Sequence, residues 1–217
     1  QDVMELQRNM KYYGLLSMLP GPVTYYDVQK VFGIQNGEVP QRRSLEYAID
    51  ELGIRKGKDF HRALADAIYT AKVLQTLDME KVFVYSSVDV YQNPKKRKEE
   101  IFLSYPEYDQ YIFREFDDKD RIMKDREVTS TRCPICHFPA KRKLRWFLNN
   151  SKAYESLSLC QKHGWVHGKI RIYHTEDEKY YPVKTLKNVD EKAAEELREK
   201  RESLRLKKQV KRQSEKI

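Results

Sequence analysis

Apolar residues return along this chain with two periods, and each period predicts its own kind of element. Val3, Leu6, Met10 and Tyr13 fall at helical spacing, so residues 2–18 are expected to form a helix opened by Asp2. Met18-Leu19-Pro20-Gly21-Pro22 breaks it, and Val23-Thr24-Tyr25-Tyr26 has the β-branched and aromatic make-up of a short strand. Asp27 then caps a helix beginning at Val28, and Ser44 caps another over 45–52. Residues 37–40 and 53–59 read as loops. Leu64, Ile68, Ala71 and Leu74 recur at steps of four, three and three, which marks one apolar face of a helix reaching Leu77.

Past a boundary near Asp78 the period shortens to that of strands. Val82, Val84, Tyr85, Val88 and Val90 predict a strand over 82–91, and two more are expected at 101–103 and 111–116 around the turn Tyr105-Pro106-Glu107. Pro94-Lys95-Lys96-Arg97-Lys98 is a solvated basic loop. Residues 165–173 alternate as a further strand. From Asn188 the chain turns polar. Asp190 caps a long helix that is acidic early (Glu191, Glu195, Glu196) and basic late (Lys207, Lys208, Lys211, Arg212), a polarity that complements the helix dipole. Leu197, Leu204 and Leu206 give it only a thin apolar stripe, so it reads as a solvated terminal helix or as a basic arm on nucleic acid.

The predicted class is α/β, a helical first part followed by a β-rich one. Of the 217 residues, 40% are hydrophobic and 35% charged, which supports a modest core under much charged surface. The net charge of +9 favours a polyanionic partner, nucleic acid first among them. No apolar run is long enough for a bilayer, and these residues show no basic-then-apolar signal pattern, so no membrane partner is expected. An odd number of cysteines with one tight pair does not suit a secreted disulfide framework, and a reducing cytoplasm is the expected location.

All three cysteines belong to one pattern. Cys133-Pro134-Ile135-Cys136 is a short knuckle, and Cys160-Gln161-Lys162-His163-Gly164 follows it after 23 intervening residues. Two knuckles of this kind bring four soft or borderline ligands together, as tetrahedral structural zinc requires. Cys133, Cys136 and Cys160 are three of the expected ligands. His163 is the expected fourth, with His137 and His167 as rivals. Between the knuckles, Lys141, Arg142, Lys143 and Arg145 precede or flank Trp146, a mixture that suits phosphate contacts and base stacking. The same spacing also fits a strand whose Trp146 and Phe147 pack inside the zinc module. The module is ribbon-like in architecture.

The remaining chemistry lies at Phe60-His61-Arg62-Ala63-Leu64-Ala65-Asp66-Ala67. Two residues five apart on a helix point roughly 140° away from each other. His61 and Asp66 therefore converge only if His61 sits on the loop entering the helix, an entry that Gly57-Lys58-Asp59 supports, and Asp66 on its first turns. This segment resembles the last motif of the DEDDh family of 3′–5′ exonucleases, a histidine followed five residues later by an aspartate in an HxAxxDA context. Tyr26-Asp27-Val28-Gln29-Lys30-Val31-Phe32 and Ser44-Leu45-Glu46-Tyr47-Ala48-Ile49-Asp50-Glu51-Leu52-Gly53-Ile54 agree with the family's preceding segments, and the resemblance covers about residues 1–80.

The resemblance implies an incomplete, mostly helical ribonuclease H-like exonuclease fold over 1–80. A β-rich connecting segment (81–128), the zinc module (129–185) and the charged terminal helix (186–217) would follow. It implies two Mg²⁺ or Mn²⁺ ions that clamp a phosphodiester of single-stranded RNA or DNA. Asp66 and Asp2 would be metal-binding carboxylates, Asp2 from the family's middle motif, and His61 the general base. A homodimer is a further expected partner. The family's first motif, Asp-x-Glu on the first strand, would precede Asp2, and no such segment stands there. The start at Gln1 accordingly reads as an N-terminal truncation, and the fragment alone is expected to be inactive. The alternative is a non-catalytic, zinc-dependent nucleic-acid-binding protein.

Overall fold

The computed structural model describes residues 2–37, 43–57, 60–149 and 153–214. The chain divides into two compact units, Gln1–Gln92 and Asn93–Ile217. Lys58, Asp59 and residues 38–40, which figure in the expected loops, lie outside the described residues.

In the first unit the elements are α1 (Asp2–Tyr12), β1 (Val23–Tyr25), α2 (Val28–Gln35), α3 (Leu45–Glu51), α4 (Ala63–Gln75), α5 (Met79–Val82) and β2 (Ser87–Asp89). α1 stops at Tyr12 rather than running to 18, because Gly14 takes φ +70°, a left-handed turn that suits glycine. Asp27 caps α2 by accepting from the Lys30 amide (3.1 Å), and Ser44 caps α3 by accepting from Tyr47 (3.1 Å). The valine-rich stretch is not one strand. Val82 ends α5, Phe83–Tyr85 is a 3₁₀ turn, and only Ser87–Asp89 is extended, antiparallel to β1. That pairing carries the first unit past residue 80. Its described strands are a single antiparallel pair.

The core of this unit is Val31 and Phe32 of α2, Ala48 and Ile49 of α3, and Ala65, Tyr69 and Val73 of α4. The face of α4 therefore differs from the expected one. Leu64 is 68% and Leu74 40% exposed, while the row at 65, 69 and 73 is buried. Tyr69 decides the rotation. Its ring stacks on Phe60 with centroids 4.9 Å apart, and its hydroxyl accepts from the Gly57 amide (3.0 Å).

The second unit is built on one antiparallel sheet. Its strands are β3 (Ile101–Ser104), β4 (Tyr108–Ile112), β5 (Lys141–Asn149), β6 (Ala153–Cys160), β7 (Gly164–His174) and β8 (Tyr180–Val189), in the order β3-β4-β8-β7-β6-β5. Because β4 pairs with β8, the segment expected as a connector shares a sheet with the segment expected as a zinc module. The strand expected over 111–116 is displaced to Tyr108–Ile112.

Alternation along the strands separates two faces. One packs Phe113 and Ile170 against Ile122 of α6 (Lys119–Lys124) and Val128 of α7 (Arg126–Thr129). The other packs Leu144 and Leu157 against Ala194 and Leu197 of α8 (Glu191–Ser214). Gly168 lets the first face close. A Cβ there would stand 2.7 Å from Trp146 Cη2 and 2.6 Å from Ser156 Oγ. Among the described residues no helix is long and apolar enough to cross a membrane.

Candidate metal centre and a carboxylate cleft

Four ligands meet where α7 runs into β5 and β6 turns into β7. The Sγ atoms of Cys133, Cys136 and Cys160 and a ring nitrogen of His163 all lie within 4.8 Å of one another. Cys136 Sγ is 3.7 Å from Cys160 Sγ, and His163 Nδ1 is 3.5 Å from Cys133 Sγ and 3.8 Å from Cys160 Sγ. Tetrahedral zinc with its usual bond lengths would hold two sulfurs about 3.8 Å apart and a sulfur and a nitrogen about 3.6 Å apart. The observed separations match those spans and are far too long for a disulfide. This group could hold a zinc ion.

The two knuckles are copies of each other in backbone terms. Cys133 Sγ accepts from the amides of Ile135 and Cys136, and Cys160 Sγ accepts from those of Lys162 and His163. Each turn closes with a left-handed residue just after its second ligand, Gly164 at φ +79° and His137 at φ +55°. Glycine takes that conformation freely, whereas His137 takes it against its Cβ. Its ring lies 3.2 Å from the fully buried carboxylate of Asp109, which also accepts from the Ser104 hydroxyl (2.7 Å). His137 thus serves the sheet rather than the metal group. His167 lies one residue out of phase with Cys160 across the β6–β7 register, on the α8 face. His163 is accordingly the fourth member. Asn188 of β8 locks the second knuckle in place by donating to the carbonyls of His163 (3.2 Å) and Trp165 (3.4 Å).

These contacts prepare the thiols unequally. Burial pushes the Cys133 thiol up against its two amide donors. Burial acts in the same direction on Cys160, but the amides of Lys162 and His163 and the neighbouring thiols outweigh it and bring that thiol down to about 6. A thiolate is the form that binds metal.

In the first unit a cleft of about 620 Å³ is lined by Asp2, Asp27, Glu46, His61 and Asp66, with Tyr26 and Phe60 among its aromatic walls. His61 is on the loop entering α4 at φ +65°, and Asp66 is in the helix's first turn. The His61 amide donates to Asp66 Oδ1 (3.2 Å), which fixes the entry. Asp2 opens α1 on the same cleft.

Carboxylate oxygens are the donor class that magnesium and manganese take. Among the described residues, however, the cysteine–histidine group is the one set of three or more such side chains gathered for an ion. The cleft carboxylates do not by themselves make a magnesium site.

Of the residues expected on nucleic acid, Lys141, Arg142, Lys143 and Arg145 are exposed along the edge strand β5. Trp146 is not free to stack. Its Nε1–H donates to the Thr129 carbonyl (2.9 Å), and its side chain packs against the core cluster of Phe113, Ile122, Val128 and Ile170. Arg142 donates to that same carbonyl (2.7 Å). Lys184 had no sequence pattern to mark it. It is 2% exposed, donates to the carbonyls of Glu127 (2.8 Å) and Ser130 (2.9 Å), and lies under the rings of Tyr111 and Phe113. Compared with protein-family models, curated proteins and solved structures, the chain matches none of them.

Proposed function

We propose that the first unit belongs to a DEDDh-type 3′–5′ exonuclease acting on single-stranded RNA or DNA, and that the zinc-bearing second unit grips the same strand. The observation that carries this reading is the shared cleft. The resemblance singles out His61 and Asp66 by residue type and spacing and Asp2 by its place at a helix start, and all three line one cavity large enough for a nucleotide. In this reading a water attacks the scissile phosphorus, the bond from phosphorus to the preceding O3′ breaks, and a 5′-mononucleotide leaves. His61 takes the water's proton. Asp2 and Asp66 contribute carboxylates toward the divalent ions that this chemistry uses.

Mn²⁺ titration of the ¹⁵N-labelled protein tests the assignment. Amide signals of Val28, His61 and Thr70 are expected to broaden first, and Asp66→Asn is expected to abolish that selectivity. Broadening that spares the cleft would contradict it. The second reading, a non-catalytic nucleic-acid-binding protein, draws its support from the cysteine–histidine group being the one gathered ligand set among the described residues.

A further inference from the structure

Beside the metal centre, the second unit carries a hollow of about 300 Å³. It is lined by Phe138, Pro139, Lys141, Leu159, Gln161 and Lys162, over the Cys136–Cys160 pair. Phe138 is 65% exposed, and its backbone is not loose. Its carbonyl accepts from the Cys133 amide (3.0 Å), so the ring is mounted on the first knuckle. Lys162 Nζ stands 5.7 Å over the ring centroid. Among the described residues no acidic side chain lines the hollow, and the exposed cations of β5 continue from it along the sheet edge.

We propose that this hollow receives one unpaired base of a nucleic-acid strand, stacked on Phe138. Lys141 and Lys162 hold the flanking phosphates, and the Gln161 amide meets the base edge. The inference rests on the nucleic-acid reading above and adds to it a site and a contact. The occupant follows from the chemistry of the lining. An exposed ring on an anchored backbone attracts any flat π-face, two lysines select a polyanion, and a base offers its face only when it is unpaired. The ring that stacks is therefore Phe138, in the place expected for Trp146.

The experiment uses the full chain with fluorescein-labelled oligothymidylate and with a duplex of equal length, both followed by anisotropy. Phe138 is exposed, so its substitutions leave the fold intact, and zinc content checks each variant. Phe138→Ala is expected to weaken single-strand binding roughly 5- to 150-fold, the range of one lost base–aromatic stack. Phe138→Trp is expected to retain binding, with indole emission quenched by the strand beyond the change seen in wild type. Equal binding by wild type and Phe138→Ala, without extra quenching, would overturn the base site and leave the nucleic-acid reading standing. Duplex bound as tightly as single strand would also overturn it. Wild type that binds neither probe would remove both.

Discussion

Lys184 shows how much a single buried amine can determine. Burial brings its pKa from 10.5 down to about 7, chiefly by desolvation. Between those two values the unfolded chain binds a proton that the folded one lacks. Stability therefore rises with pH across that window and loses this contribution as pH falls toward 7. The neutral amine still carries two N–H donors, one for each of the carbonyls of Glu127 and Ser130. Lys184→Met is expected to flatten the rise, seen as a smaller gain in urea stability between pH 7.5 and 9.5 than in wild type. Identical slopes would contradict the account. Nothing in the β8 sequence marks Lys184, since its alternation places a lysine on the buried face. Trp146 is the converse case. Its basic neighbours suggest a stacking residue, but its indole N–H and ring are taken up by Thr129 and the core.

At the scale of elements, local chemistry was legible and face assignment was not. Each knuckle could be read because a metal needs ligands at short fixed steps, whatever surrounds them. The α2 and α3 caps were readable for the same local reason. α4 was misread because its apolar positions form two overlapping rows, and Tyr69's contacts with Phe60 and Gly57 choose between them. The valines of 82–91 have strand propensity, but only residues 87–89 find a partner.

α8 is more than a solvated arm. Ala194 and Leu197 are buried against the sheet, Arg198 stacks on Trp165, and Lys200 reaches the buried Glu155 (3.2 Å). Leu197→Ala is expected to cost about 2–4 kcal/mol in urea unfolding and to open α8 to trypsin. A loss below about 0.5 kcal/mol would show that the helix is not docked through this residue. The knuckles predict a metal dependence. A zinc chelator is expected to lower the melting temperature sharply, and Cys133→Ser to reproduce the loss without chelator. A protein that melts alike with and without chelator would contradict the zinc assignment.

On the scale of the whole molecule, two kinds of chemistry share one basic chain of net charge +9. The first unit supplies a cleft with His61 and Asp66 at a helix entry and Asp2 opposite them in sequence order. The second supplies a sheet beside which Cys133, Cys136, Cys160 and His163 are gathered as a possible ion site, with a cationic edge. The broad α/β character was readable from the change of period near residue 80. The six-stranded sheet was not, because β3 and β4 join it through a pairing with β8 that is distant in sequence and leaves no local trace.

The measurement that bears most directly on the central claim is degradation of a single strand by the natural protein carrying this sequence. The protein would be given Mg²⁺ and 5′-labelled RNA or DNA, with Asp66→Ala and His61→Ala assayed beside it. The account predicts a ladder that shortens from the 3′ end and releases 5′-mononucleotides. Asp66→Ala should abolish it, and His61→Ala should slow it about 10²- to 10⁴-fold, the usual worth of a general base. An uncut strand in wild type, or cutting that Asp66→Ala leaves unchanged, would contradict the nuclease assignment.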